Sequence, residues 1–323
     1  MGKLLGLTLL SLALAITGCK GQDTTKRLKL AHTLDTSHPV HQGMVAMAER
    51  LNTISGGELT IDIYPSGQLG SEREMIELLQ IGSLAMTKVS ASPMESFVPE
   101  MKVFSLPYVF RDEDHFWRVL DSDLGKQLLV AGERVRLRGL CYYDAGARSF
   151  YTTDRAINTP ADLEGLKIRV QKSQTAVEMV STLGGSATPI SFGELYTSLQ
   201  QGVVDGAENN PPSFYSSKHY EVSKYYSLDE HSYVPDMLLV SAHVWRNLSA
   251  QHQQWLQQAA DESVPVQRAL WKQQTEKALA EVQAAGVTVI YPDKTLFAQQ
   301  VSPMHSALEG TPVGELLNTI KSL

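Results

Sequence analysis

Arg169 stands in Gly165-Leu166-Lys167-Ile168-Arg169-Val170, a short apolar strand pattern that presents a guanidinium. Flanked by Ile168 and Val170, it is expected to be at least partly buried. A guanidinium keeps its proton inside a protein, so burial calls for an anionic partner. That partner is either a carboxylate of the chain or one brought by a ligand, and the sequence leaves both open. Arg148, in Ala145-Gly146-Ala147-Arg148-Ser149-Phe150-Tyr151, is a second candidate, set behind small residues that permit close backbone approach. Alone it reads as a surface arginine. With Arg169 in the same half of the molecule, the two forks could converge on one carboxylate, which planar guanidinium groups grip in two-pronged fashion.

Other polar residues allow two readings. Asn209 and Asn210 precede Pro211-Pro212. Their amides offer donors and acceptors that suit a sugar hydroxyl, yet Asn and Pro also populate turns for local reasons. Glu72, in Gly70-Ser71-Glu72-Arg73-Glu74, could accept from hydroxyls, although an acid at a helix start is favoured by the macrodipole alone. Phe192 could pack on a ligand face or in the core. His38 and His41 have a spacing that could present two imidazoles to zinc, but no third ligand follows, and one His capping the next helix is the preferred reading. No metal site and no cofactor are expected. There is no Gly-x-Ser-x-Gly turn, no phosphate-cradling glycine loop and no dinucleotide fingerprint, so catalysis has little support.

The elements that must position these residues alternate. Residues 28–32 read as a strand, and Met44, Met47, Ala48, Leu51 and Ile54 mark one face of a helix ended by Gly56-Gly57. A strand at 59–63, a helix around 75–81 and a strand at 85–89 complete a β-α-β-α-β order, which indicates a parallel sheet with right-handed crossovers. The same grammar restarts after residue 145: strand 166–170, helix 174–183, a capping-box pattern Ser191-Phe192-Gly193-Glu194 opening helix 195–201, strand 203–207 and strand 237–241. A helical tract at 249–285 is expected to be interrupted at Pro265, and 287–291 returns as a strand. This predicts a two-lobed α/β fold with mixed, mainly parallel sheets and a ligand site between the lobes, at the carboxyl ends of the strands.

The chain start reads as an export signal, residues 1–18, with Lys3 before an apolar run. Ile16-Thr17-Gly18-Cys19 resembles a bacterial lipobox, which predicts lipidation of Cys19, a tether at 19–27 and attachment to a membrane surface. The only other cysteine, Cys141, reads as a packed small hydrophobe, so no disulfide is expected. The formal net charge of −7 argues against nucleic acid as a partner.

Several segments, in order, resemble one family, the periplasmic solute-binding proteins of TRAP transporters, DctP type. They are Tyr64-Pro65-Ser66-Gly67-Gln68-Leu69-Gly70, Phe104-Ser105-Leu106-Pro107-Tyr108-Val109-Phe110, the Arg169 strand, Thr188-Pro189-Ile190-Ser191-Phe192-Gly193-Glu194-Leu195-Tyr196 and Gly202-Val203-Val204-Asp205-Gly206-Ala207-Glu208-Asn209. The resemblance implies two lobes with a hinge and a long lobe-spanning helix, no enzymatic activity, a small organic acid as ligand and a membrane permease as partner. The lobes are expected at 28–145 plus about 235–272 and at 146–234 plus about 273–323. It implies that Arg169 grips the ligand carboxylate with Arg148 assisting, and that Asn209 and Phe192 line the site with Glu72 and Ser90 from the first lobe. The segment from Glu208-Asn209-Asn210 to Tyr225-Tyr226-Ser227-Leu228-Asp229-Glu230-His231-Ser232 is similar to members that bind hexuronates such as glucuronate or galacturonate. The alternative is a C4-dicarboxylate or other small acid, with Lys88 as a second cationic anchor.

Overall fold

The computed structural model describes residues 25–323; the signal and the Cys19 lipobox lie outside the described residues. Eleven described strands form two sheets. In the first lobe, β1 (Lys26–Ala31), β2 (Leu59–Tyr64), β3 (Met86–Ser90), β4 (Leu137–Tyr143) and β10 (Asp236–Ser241) lie in the order β2-β1-β3-β10-β4. The second lobe carries β5 (Ala147–Thr152), β6 (Lys167–Val170), β7 (Ser186–Pro189), β8 (Gly206–Asn209), β9 (Tyr225–Tyr233) and β11 (Thr288–Ile290) in the order β11-β9-β5-β8-β6-β7. β1–β2, β1–β3 and β6–β7–β8 are parallel, as the crossover grammar requires, while β10 and β5 run antiparallel to their neighbours.

Those two antiparallel strands arise where the chain changes lobes. β4 leads through Asp144-Ala145-Gly146 into β5, and β9 leads through Val234-Pro235 into β10. The third crossing is the 35-residue helix Ala250–Ala284. Gln267 on this helix holds the first crossing from both sides: its Oε1 accepts from the Asp144 amide at 2.8 Å, and its Nε2 donates to the Asp144 carbonyl at 2.9 Å. Gly146 turns the strand with φ +55, and the Trp271 ring fills the space where its side chain would stand.

Four expectations are corrected. The long helix is not interrupted at Pro265. The ring removes one backbone hydrogen bond, but Leu256, Ala259, Ala260, Ser263, Gln267 and Trp271 continue one buried stripe on both sides of it, and that packing outweighs the local loss. Ser191 does not cap a helix with its side chain; Phe192–Glu194 is a 3₁₀ turn leading into Leu195–Gln200, which frees the Ser191 hydroxyl. The stretch 203–205 is a turn, and Asn209 is the last residue of β8 rather than a residue beyond it. The helix Pro312–Ser322 returns to the first lobe, against its expected place in the second. Leu317 and Ile320 join the cluster holding Met101, Val103 and Phe104, and the Ile320 carbonyl lies 2.9 Å from His115 Nε2.

The helix α1 (Pro39–Ile54) buries Val40, Met44, Met47 and Leu51, and His38 caps it by accepting the Val40 amide on Nδ1. Gly43 is its contact point with the long helix: a Cβ there would lie 2.7 Å from Gln267 Cβ. Gly43→Val is therefore expected to push the two helices apart and to lower stability by about 1–3 kcal/mol, read from urea unfolding. An unchanged midpoint would show that this contact is not tight.

Candidate functional site

A cleft lined by residues of both lobes lies between them. Arg169, Arg148, Asn209, Asn210, Phe192, Glu72, Ser90 and Lys88 all line it, so the fold brings these eight ligand-binding candidates to one place. From the second lobe, Arg169 projects from the third position of β6 and is 2% exposed. Its Nε donates to the Ile190 carbonyl at 2.8 Å, and its guanidinium carbon lies 5.9 Å from the Phe192 ring centre. Its Nη1 is buried with no hydrogen-bond partner, and among the described residues no carboxylate forms an ion pair with it. Burial depresses its basicity, with Glu208 opposing from a distance. Among the described residues, then, no carboxylate is in ion-pair contact with Arg169.

Arg148 also lines the cleft but, unlike Arg169, it is already paired within the protein. Glu208 clamps it in a fork, from Nε to Oε2 and from Nη2 to Oε1 at 2.9 Å, and Nη2 also donates to the Glu208 carbonyl at 2.8 Å. Its Nη1 donates to Asn209 Oδ1 at 2.9 Å. β5 and β8 pair with Ser149 opposite Asn209 and Phe150 opposite Glu208, which is why these groups meet. Burial opposes ionisation of Glu208, yet Arg148 and His231 hold its carboxyl down at about 2. His231 lies between two carboxylates, with Nδ1 2.8 Å from Asp229 Oδ2 and Nε2 3.5 Å from Glu208 Oε2. Burial alone would lower its pKa, but Asp229 and Glu208 raise it to about 9.

The two asparagines are fixed as donors. Asn209 Oδ1 is occupied by Arg148 and by the Asn210 amide at 2.9 Å, and its carbonyl accepts from Tyr226 Oη at 2.8 Å. Asn210 caps the helix Pro211–Ser216, its Oδ1 accepting from the Ser213 amide at 2.9 Å. The amide oxygens therefore do local work, and each Nδ2 remains without a partner among the described residues.

On the first-lobe wall, Lys88 of β3 is not a free anchor. Its Nζ sits 3.3 Å from Glu72 Oε1 and 3.1 Å from Asp236 Oδ2. Glu72 opens α2 (Glu72–Gln80) behind the Ser71–Glu74 capping box, and its Oε1 also accepts from the Ser90 amide at 3.1 Å. Burial raises Asp236 above the ordinary carboxylate range while Lys88 opposes it. Asp236, Gln171 and Ser191 line the cleft as well and were missed. An Asp directly after Pro235 and before an apolar strand was the available signal for the first. The lobes touch across the opening: Ser90 Oγ donates to Gln171 Oε1 at 3.4 Å, the Thr175 amide to Glu95 at 3.1 Å, and His38 Nε2 lies 3.1 Å from Ser213 Oγ. His38 and His41 do not converge on a point, since His41 Nδ1 faces His32 Nε2 at 3.0 Å.

A family model described as DctP, bacterial extracellular solute-binding protein, family 7, matches residues 30–310. The chain belongs to the DctP family of TRAP solute-binding proteins. A family member from Chromohalobacter salexigens, a "Solute-binding protein", is 36% identical over 270 residues, covering 83% of this chain and 80% of that one. Among solved structures, the TRAP periplasmic solute-binding protein from Bradyrhizobium sp. BTAi1, in complex with α/β-D-galacturonate, superposes with a TM-score of 0.90 at 41% identity, covering 92% of this chain and 100% of that one. Its counterpart from Roseobacter denitrificans, with bound β-D-glucuronate, gives 0.89 at 36% identity, covering 92% and 99%. The two-lobed fold and the role as a TRAP receptor follow. No described helix is long and apolar enough to cross a membrane.

His231 gives this DctP-family site a pH signature. Its pKa in the folded protein, about 9, lies above the ordinary 6.5. The stabilisation is full below pH 6.5 and is lost as the pH rises through 9, with a magnitude on the order of 3 kcal/mol. His231→Gln is expected to lower stability at pH 6 and to flatten the decline between pH 6.5 and 9 in unfolding curves taken across that range. An undiminished decline in the variant would place its origin elsewhere.

Proposed function

We propose that this TRAP receptor binds a hexuronate, glucuronate or galacturonate, and that its lobes close on the sugar acid before it is delivered to the membrane permease. The observation that carries this reading is Arg169 Nη1, buried in the cleft without a partner. A carboxylate is the group that completes a buried guanidinium, and two of the solved relatives hold galacturonate and glucuronate. Arg148 assists by fixing Asn209, whose Nδ2, with that of Asn210, donates to hydroxyl oxygens. Glu72 and Asp236 accept from hydroxyls on the opposite wall, with Ser90 and Phe192 shaping the space between. A C4-dicarboxylate would need a second cation in the first lobe, and Lys88 is already held by two carboxylates. Transport of the closed complex is read as periplasmic, with the receptor tethered to the membrane through lipid on Cys19.

Arg169→Ala is expected to weaken hexuronate binding by roughly 30-fold to several thousand-fold in calorimetry, because it strands a desolvated carboxylate. Arg169→Lys should recover only part of this, since an ammonium cannot supply the fork. An Arg169→Ala protein that binds within a factor of two of the parent would refute the assignment. For the tether, the parent is expected in the membrane fraction and Cys19→Ser in the soluble fraction, with the acyl mass lost from the N-terminal peptide. A soluble parent would sink the lipid reading and leave the ligand reading untouched.

A further inference from the structure

The first-lobe wall of the cleft has a charge pattern opposite to that of the second. One ammonium, Lys88, faces two carboxylates, Glu72 and Asp236, which leaves a formal −1 (1 − 2) on that wall. Lys88 and Asp236 are nearly sealed from solvent, with side chains 3% and 7% exposed, so this charge is poorly screened. β3 and β10 fix the arrangement, since Lys88 pairs with Leu238 and Ser90 with Asp236 across the antiparallel ladder. Glu72 is fixed by its place at the start of α2 and by the Ser90 amide. Glu72 Oε2 and Asp236 Oδ1 accept no hydrogen bond among the described residues.

Among the described residues, no other buried cation of the first lobe offsets the cluster. Arg73, which also lines the cleft, is 3.1 Å from Glu77 and lies over the Phe97 ring. Lys172 at the rim is exposed and acts on Glu74. The cleft is therefore polarised, with an unpaired guanidinium at one end and acceptor oxygens on a net anion at the other. A ligand with one carboxylate and a hydroxyl-rich far end matches both ends. A second carboxylate at the far end would be desolvated against two others, with Lys88, the cation buried between them, already held by both.

We propose that the Lys88–Glu72–Asp236 cluster is the specificity determinant of this receptor: it admits polyhydroxy acids with a single carboxylate and rejects the dicarboxylic acid of the same carbon skeleton. This rests on the hexuronate reading above and deepens it. Selection comes from a repulsive element as much as from the attraction at Arg169.

The test is calorimetric titration of the full folded protein with galacturonate and with galactarate, whose C1 is also a carboxylate and whose chain is open; galactonate, open-chain with a single carboxylate, separates loss of the ring from the second charge. The parent is expected to prefer galacturonate by roughly 100-fold or more. Asp236→Asn removes one negative charge and leaves Lys88 paired with Glu72. It is expected to narrow that gap by roughly tenfold, with galactarate gaining affinity while galacturonate loses it. Glu72→Gln is the parallel variant, and thermal melts select the variants that fold. A parent that binds both acids within threefold overturns the inference, as does a gap unchanged in every folded variant. Failure to bind any hexuronate overturns the functional reading and this inference together, whereas tight galacturonate binding with an unchanged gap overturns only the assignment of the cluster.

Discussion

The structure depends on one uncompensated charge. A guanidinium in the interior is strongly unfavourable without a counter-ion. Here Glu208, the carboxylate that acts most strongly on Arg169, is committed elsewhere, with Arg148 taking both of its oxygens and His231 facing one of them. Asp229 in turn holds His231. The second lobe thus arranges three cations, Arg169, Arg148 and His231, around two anions, and the surplus falls on Arg169. The Ile190 carbonyl and the Phe192 face orient that surplus without neutralising it.

Placing the surplus charge in a cleft rather than a closed core ties it to the hinge. The cleft walls belong to different sheets, and the chain passes between them three times. The long helix does more than span the lobes. Gln267 grips the backbone at Asp144, and Tyr143 Oη lies 2.6 Å from Ser263 Oγ one turn away. The first-lobe end of the hinge is therefore fixed to the helix, and bending is left to 145–146 and 234–235. Any group that contacts Arg169 on one wall and Glu72 or Asp236 on the other joins the ends of that hinge and stabilises the closed arrangement by its differential contacts.

Much of this was legible along the chain because it is local. Apolar periodicity marked the strands and helices, Gly56-Gly57 and Gly82 marked helix ends, and His38 before Pro39 marked a cap. Arg169 stood out because a charged residue inside Ile-Arg-Val has to be explained by chemistry rather than by propensity. What could not be read was which charge meets which. Arg148 and Glu208 are 60 residues apart, and Lys88 and Asp236 meet only because β10 returns antiparallel to β3. Pro265 and the Ser191 pattern failed for the same reason in reverse: the local signal was present, and long-range packing or a 3₁₀ turn overrode it.

The same non-local pairing changes what the residue types mean. Counted by type, the cleft holds several cations and would suit a small polyanion. Counted after pairing, Arg148 is neutralised by Glu208, Lys88 is over-neutralised by Glu72 and Asp236, and of the buried cations that line the cleft among the described residues only Arg169 remains available. The two amides undergo a similar reduction. Asn209 and Asn210 could each donate and accept, but with both oxygens occupied they face the cleft as donors, while the first lobe faces it as acceptors. A sugar hydroxyl, which donates and accepts at once, is suited to stand between such walls. The proposed ligand class therefore rests on the hydrogen-bonding capacity that remains after the protein has satisfied itself.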